Sequence, residues 1–164
     1  MTSPRLVCAL LSTWLVAIQP PGRSLSAFAP STVLSAADRE FCVSETNRYR
    51  AILGVAPVTA SASIEGYADR AAANDHARKR AHHYSRGLNG PKQTAWAENE
   101  GVRWPLNGGS TRQAIAAIIA AFWAEGPGGG HYETMRNSRY GVVGCGGYTK
   151  NGVFTLVQHF RTSK

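Results

Sequence analysis

The sequence lacks the short motifs of several common enzyme classes. It has no Gly-x-Ser-x-Gly elbow of a serine hydrolase and no His-Glu-x-x-His helix of a zinc protease. The glycine cluster 128–130 is not followed by the Lys-Ser or Lys-Thr of a phosphate-binding loop, and no cysteine has a Cys-x-x-Cys partner. Any functional site must therefore be assembled from side chains that are distant in sequence.

Long apolar runs are also absent, because no stretch reaches the roughly 18 apolar residues of a membrane span. Near the N-terminus, Arg5 precedes a short apolar stretch, residues 6–18, and Pro20 follows it. This order is typical of a secretory signal peptide, and a retained membrane anchor is the alternative. We predict a secreted protein with a signal peptide over residues 1–26, or up to 29 if cleavage occurs later. A short N-terminal extension over 27–34 and a single domain over 35–164 complete the prediction.

Acidic residues are few: the chain has 10 Asp and Glu against 18 Lys and Arg, a formal charge of +8. Removal of Arg5 and Arg23 with the signal peptide would lower this charge to +6. A positive secreted protein attracts anionic lipid, membrane surfaces or cell-wall material, whereas nucleic acid is not an expected partner. The alternative is that the charge only maintains solubility. In either case we expect a monomer.

Cysteine is scarce, with three residues in the chain. Cys8 lies in the predicted signal peptide, which leaves Cys42 and Cys145 in the mature protein. An even number of cysteines in an exported chain predicts one disulfide, here closing a loop of about 100 residues. Two buried free thiols are the alternative.

Hydrophobic periodicity predicts three helices in the first two thirds of the chain. The first runs from a cap at Ser35 to about residue 52, and the second runs from Ser61 or Ser63 to about residue 81. The third is the clearest, with Thr111 as its expected cap. Its apolar stripe consists of Ile115, Ile118, Ile119 and Phe122.

Strand signals are concentrated at the C-terminal end. Residues 140–148 and 153–160 flank an Asn-Gly turn, a strong hairpin signal, and 96–104 shows a weaker extended pattern. Helices that precede a hairpin indicate an α+β class. We expect a three-layer arrangement in which helices cover a central antiparallel sheet.

The residues with catalytic or metal-binding chemistry are distributed along the chain. His82 and His83 follow the second helix, Glu98 lies in the extended segment, Glu125 ends the third helix, and His131 follows the glycine loop. Spacing alone does not group them, because an isolated histidine at a helix end is usually a cap or a surface residue.

Several short segments, in a fixed order over residues 35–161, resemble the CAP superfamily of cysteine-rich secretory proteins, antigen 5 and pathogenesis-related proteins of class one. The match lies in their order, since each segment alone is weak. The segments are Asn47-Arg48-Tyr49-Arg50, Ala97-Glu98-Asn99, Phe122-Trp123-Ala124-Glu125, Gly130-His131-Tyr132 and Val143-Gly144-Cys145. Departures from the family pattern are Thr46 for histidine, Ala97 for glycine and Phe122 for tryptophan.

This resemblance implies an α-β-α sandwich with a central cleft lined by two histidines and two glutamates. Carried over by motif, these residues are His83, Glu98, Glu125 and His131, with His82 as the alternative to His83. Two carboxylates beside two neutral imidazoles have a charge of about −2, which a divalent cation such as zinc would offset. A hydrogen-bonded network that binds nothing is the alternative.

The function that the resemblance implies is that of a secreted, non-enzymatic protein. Its cleft would hold a divalent metal, and a lipid or sterol would be a further ligand. The alternative is a metal-dependent hydrolase, a peptidase or an esterase, in which Glu98 or Glu125 acts as general base.

Overall fold

The computed structural model describes residues 31–87 and 96–162. The predicted signal peptide, residues 1–26, lies outside the described residues. The described chain forms five helices and five strands. The helices are α1 Ala36–Ile52, α2 Ala62–Arg78, α3 His83–Arg86, α4 Thr111–Ala124 and α5 Gly130–Arg136; the strands are β1 Thr32–Val33, β2 Thr59–Ala60, β3 Trp96–Pro105, β4 Tyr140–Lys150 and β5 Val153–Thr162.

Helix starts follow the capping residues closely. Ser35 caps α1 by accepting a hydrogen bond from the backbone N–H of Asp38 at 3.1 Å. The predicted cap of the third helix, Thr111, is wrong by one residue. Ser110 caps α4, because its hydroxyl and the Gln113 side chain form a reciprocal capping box.

The sheet has the order β1-β4-β5-β3 with antiparallel pairing, and the two-residue strand β2 pairs in parallel with β4. The predicted hairpin is present as β4 and β5, which turn at Asn151 and Gly152. Residues Thr32–Val33, part of the predicted N-terminal extension, pair with β4 as strand β1. Strand β3 pairs with β5 and ends the strand order.

Helices cover both faces of the sheet, so the predicted α+β sandwich is confirmed. Alternate residues of β5 point to opposite layers: Phe154 and Leu156 pack with α1 and α4, and Val157 packs with α2. Glycines on β4 allow the close approach of α2. A Cβ atom at Gly144 would lie 2.7 Å from the backbone of Ile64, so the helix would have to move away.

The predicted disulfide is confirmed. It joins Cys42 in α1 to Cys145 in β4 and thus fixes a helix of one outer layer to the central sheet. Both cysteines are fully buried within the core of that layer. Within residues 31–87 and 96–162, none of the helices combines the length and apolar character needed to cross a bilayer.

Candidate metal centre at the edge of the sheet

A first histidine–glutamate pair lies between the segment that opens α3 and the edge strand β3. Nδ1 of His82 lies 2.9 Å from Oε1 of Glu98 and donates to it, because a carboxylate oxygen can only accept. His82 has a left-handed backbone with φ of 58°, which is uncommon for a residue other than glycine. Its backbone N–H donates to Oε2 of Glu100 at 2.6 Å, and this bond holds the turn in place.

A second pair is formed by the end of α4 and the start of α5. His131 Nδ1 lies 2.5 Å from Oε1 of Glu125, and the His131 backbone N–H donates to the other carboxylate oxygen at 3.0 Å. Gly129 makes room for this contact, since a Cβ atom there would lie 2.8 Å from Oε2 of Glu125. The glycine loop therefore allows the glutamate to reach its histidine.

The two pairs lie close together, and their imidazole rings bound the space that we call the cleft. The ring centroids of His82 and His131 are 6.4 Å apart, and the His131 ring also packs on Phe122 at 4.4 Å. Both rings use Nδ1 for a carboxylate, and no described residue forms a hydrogen bond with Nε2 of either ring. A carboxylate at Nδ1 fixes the tautomer of each ring and leaves Nε2 as its acceptor nitrogen.

The structure brings Glu98, Glu125 and His131 to this cleft, but it places His83 elsewhere. Nδ1 of His83 lies 3.0 Å from Oδ1 of Asn74 in α2. His82, the alternative in the sequence analysis, is the histidine that contacts Glu98. The left-handed turn at His82 decides which of the two adjacent rings enters the cleft.

Two further acids, which the sequence analysis did not single out, lie behind the first pair. The side chain of Glu100 is fully buried, and its carboxyl group lies near that of Asp75 in α2. Burial, together with the neighbouring Asp75 and Glu98 carboxylates, raises the pKa of Glu100 well above its ordinary value. Burial likewise raises the pKa of Asp75. Glu100 therefore holds its proton at neutral pH.

The pKa of Glu98 shifts in the opposite direction, although only 2% of its side chain is exposed. Burial alone would raise its pKa, but contacts with His159, His82 and Ser85 outweigh burial and lower the pKa to about 2. Ser85 donates to Oε1 at 2.8 Å, and Nδ1 of His159 lies 3.6 Å from Oε2. Glu98 is therefore a carboxylate in the folded protein.

His159 is a buried histidine that the sequence analysis also did not single out. It is fully buried and stacks on Trp96 with ring centroids 5.2 Å apart, while Tyr67 packs on it at 4.7 Å. It is the cross-strand partner of Glu98 in the β3–β5 register. Only this register, which a single sequence does not reveal, could have linked the two residues.

The donor atoms of His82, Glu98 and Glu100 fit a divalent cation in number and spacing. All three lie within 4.8 Å of one another, and His82 Nδ1 lies 2.9 and 3.8 Å from the two carboxylates. For Nδ1 to bind an ion, the ring would have to adopt the tautomer with its hydrogen on Nε2, so that the ion replaces the hydrogen bond to Glu98. An ion with bonds of about 2.0–2.2 Å needs donors separated by roughly 3–4 Å. One nitrogen and two carboxylates form a donor set that zinc accepts. These residues therefore fit the metal that the family resemblance implies.

Comparison with known proteins identifies the family. The family model described as "Cysteine-rich secretory protein family", CAP, matches residues 43–160, and this chain belongs to that family. No curated protein matches the sequence closely enough to be counted as a relative.

Solved structures share the fold at low sequence identity. An outer surface protein from Borrelia burgdorferi is similar with a TM-score of 0.59 and 15% identity, over 82% of this chain and 100% of that chain. A hookworm platelet inhibitor is similar with a TM-score of 0.53 and 13% identity, over 80% of this chain and 72% of that chain. At these identities the comparison shows the fold alone.

Proposed function

We propose that this protein is an exported CAP-family protein whose cleft binds a divalent cation and has no catalytic role. The observation that carries the proposal is the cluster of one imidazole and two carboxylates within 4.8 Å. His82, Glu98 and Glu100 would hold the ion, and His131 lies across the cleft with Nε2 facing no hydrogen-bond partner among the described residues. The bound cation would supply positive charge to a cluster that is rich in acids.

Binding is favoured over catalysis by the burial of the acids. The side chain of Glu100 is 0% exposed and that of Glu98 is 2% exposed. A general base must come within hydrogen-bond distance of the substrate proton, and burial limits the access of a substrate to these two acids. Glu125, with 35% of its side chain exposed, is the accessible carboxylate on which the alternative hydrolase would depend.

Zinc titration by calorimetry tests the proposal, and the adjacent histidines provide a matched pair of variants. His82→Ala should weaken zinc binding by about tenfold or more, because it removes a ligand. His83→Ala should change the affinity less than about twofold, since that ring contacts Asn74 instead.

Equal effects of the two histidine variants, or an absence of saturable zinc binding by the wild type, would contradict the proposed site. The hydrolase alternative is separated by turnover of ester and peptide substrates. Chelator-sensitive turnover that is lost in Glu125→Gln would favour the enzyme.

Export is supported by the disulfide, because such bonds persist in oxidising compartments and are rare in reducing ones. N-terminal sequencing of the protein recovered from the medium should give Ala27 as its first residue. Recovery of the protein only from cells, with Met1 retained, would contradict export.

A lipid or sterol ligand stays a prediction, and the apolar stripe of α4 gives it no support. Ile115, Ile118 and Ile119 are fully buried in the core of one helical layer. Any lipid groove must lie elsewhere, and saturable sterol uptake by the purified protein is the measurement that tests this ligand.

A further inference from the structure

A second cavity, independent of the metal centre, lies where α2, the outer part of β3 and the β4–β5 hairpin meet. Its volume is about 420 Å³. Small-molecule sites in proteins typically have volumes of about 300–1,000 Å³, so this cavity is large enough for a small organic ligand. The residues that line it are His76, Ala77, Arg103, Tyr148, Lys150, Asn151 and Val153.

The lining is cationic. Arg103 and Lys150 both face the cavity, and no Asp or Glu lines it. Within the described part of the chain, neither cation lies within ion-pair distance of a carboxylate, whereas Arg39, Arg48, Arg112 and Arg136 each have such a partner. Cations that face one cavity without a protein counter-charge attract an anion.

The backbone of Arg103 is held in an unusual conformation at the edge of this cavity. A break in the β3–β5 register lies between Gly101 and Trp104, and Arg103 has φ of 57° there. The Arg103 backbone N–H donates to Oγ1 of Thr155 at 3.0 Å, and Thr155 is fully buried. The bulge turns the arginine away from the regular strand, and the buried threonine fixes it.

The guanidinium group of Arg103 is held by His76, of which only 3% is exposed. Nη1 of Arg103 lies 3.4 Å from Nε2 of His76, so this nitrogen accepts and Nδ1 carries the hydrogen. Nδ1 in turn donates to Oγ1 of Thr155 at 3.0 Å. Burial, with the nearby charges of Arg103 and Lys150, lowers the pKa of His76. The imidazole is therefore neutral and orients the guanidinium without offsetting its charge.

Lys150 is brought to the same cavity by the hairpin. Asn151 and Gly152 form a tight turn with φ of 52° and 70°. The backbone N–H of Leu106 donates to the carbonyl of Gly152 at 2.9 Å, which ties the chain after β3 to this turn. Arg103 in the bulge and Lys150 in the hairpin are thus held at the same cavity.

We propose that this cavity binds a phosphate group carried by a small organic molecule or a lipid headgroup. Arginine presents a planar set of donors that matches two oxygens of a phosphate, and lysine adds a point charge. Preorganisation of the guanidinium by His76 and Thr155 lowers the entropy that binding would cost. The volume of about 420 Å³ exceeds that of a bare phosphate and leaves space for an organic group.

Titration of the full exported protein with phenyl phosphate, followed by calorimetry, tests the proposal. Saturable binding should weaken about tenfold or more in Arg103→Gln and several-fold in Lys150→Gln, since each variant removes a charged donor. Arg103→Lys should recover only part of the affinity, because lysine lacks the fork of donors. Arg139→Gln is the matched control, since Arg139 is exposed and does not line the cavity, and its affinity should stay within about twofold of wild type.

Two arms distinguish the sources of the phosphate. Binding of phenyl phosphate indicates a soluble ligand. Binding to phosphatidylcholine vesicles that contain phosphatidic acid, with no binding to pure phosphatidylcholine, indicates a headgroup. Either result supports the proposal only if Arg103→Gln weakens it more than Arg139→Gln does.

Equal losses of affinity in Arg103→Gln and Arg139→Gln, or no saturable binding to either probe, would overturn the proposal. Unfolding curves of every variant exclude misfolding as the cause, and Lys150→Gln gives an independent test if Arg103→Gln does not fold. Zinc affinity, measured on the same samples, should be unchanged.

Discussion

Asp75 and His76 are neighbours in α2, yet they belong to sites of opposite charge. Asp75 lies beside Glu100 in the acidic cluster behind the metal centre, whereas His76 contacts Thr155 and Arg103 at the basic cavity. Adjacent positions on a helix point about 100° apart, so one turn of α2 serves both sites. The acidic site is buried and holds a proton on Glu100, while the basic site keeps its charges at the surface.

This contrast shows how burial decides which charges a protein can keep. In the acidic cluster Glu98 keeps its charge because His82 and Ser85 donate hydrogen bonds to it. At the basic cavity Arg103 and Lys150 are exposed and have no carboxylate partner among the described residues. Loss of a charged group should therefore be costly in the first site and almost without effect on stability in the second.

The largest effect is expected for Glu98→Ala. This substitution leaves the donors of His82 and Ser85 without their buried acceptor and should lower the free energy of unfolding by about 3–5 kcal/mol. Urea denaturation measures it, with Glu125→Ala as control. Glu125 is more exposed, so its loss should cost less than about 1 kcal/mol. Equal losses of unfolding free energy in Glu98→Ala and Glu125→Ala would show that burial does not determine the cost of removing the carboxylate.

The pH dependence of the stability difference between wild type and Glu98→Ala gives a second test of the role of this carboxylate. The folded pKa of Glu98 is about 2 against an ordinary value of 4.5, so its stabilisation is complete above about pH 4.5 and is lost as the pH falls towards 2. The difference between wild type and Glu98→Ala should therefore shrink over this range. A difference that stays constant with pH would show that packing, not ionisation, is responsible.

His76→Leu should have the next largest effect. It removes the hydrogen bonds to Thr155 and Arg103 but keeps most of the buried volume, and it should cost about 1–3 kcal/mol. Thermal unfolding measures the loss. Ala77→Leu at the next, exposed position is the matched control and should leave the melting temperature nearly unchanged. An equal shift in both variants would contradict a structural role of the histidine.

Glu100→Gln should have a smaller effect of opposite sign. The folded pKa of Glu100 is raised, so the wild type loses stability as the pH rises above the ordinary value of 4.5 towards the folded pKa. Glutamine needs no proton and can still donate to Asp75, so the variant should be about 1–2 kcal/mol more stable at pH 8. Chemical denaturation at pH 5 and pH 8 checks this, and a larger gain at pH 5 would contradict it.

Arg103→Gln should change stability least. The side chain is exposed and has no ion pair among the described residues, so the free energy of unfolding should change by less than about 0.5 kcal/mol. A change as large as that of His76→Leu would show that Arg103 has a structural role in the bulge. Comparison of Arg103→Gln with His76→Leu therefore separates the residue proposed to bind phosphate from the residue that positions it.

Local signals in the sequence were sufficient for the main helices and the hairpin. Ser35 caps α1 where expected, and the Asn151-Gly152 turn joins β4 and β5. Strand β1, with only two residues, has no periodicity of its own and forms because β4 offers an edge for it.

The site was predictable where its residues belong to one continuous segment. Glu125 and His131 are six residues apart and meet through the glycine loop between them. The choice between His82 and His83 depends on one left-handed backbone angle, which no residue type at that position predicts. Glu100 and His159 enter the cluster through strand register and the position of α2, which are properties of the tertiary structure.

The alternation of side chains along β3 has a consequence for the evolution of this cleft. Glu98 and Glu100 contact groups from the α2–α3 side, while Asn99 between them donates to the backbone carbonyl of His131 in α5 at 3.2 Å. Strand β3 thus contacts both histidines of the cleft, His82 through Glu98 and Glu100 and His131 through Asn99, because alternate residues of a strand face opposite sides. Insertion of a single residue after Glu98 would reverse this alternation, so that Asn99 and Glu100 would exchange the sides that they face.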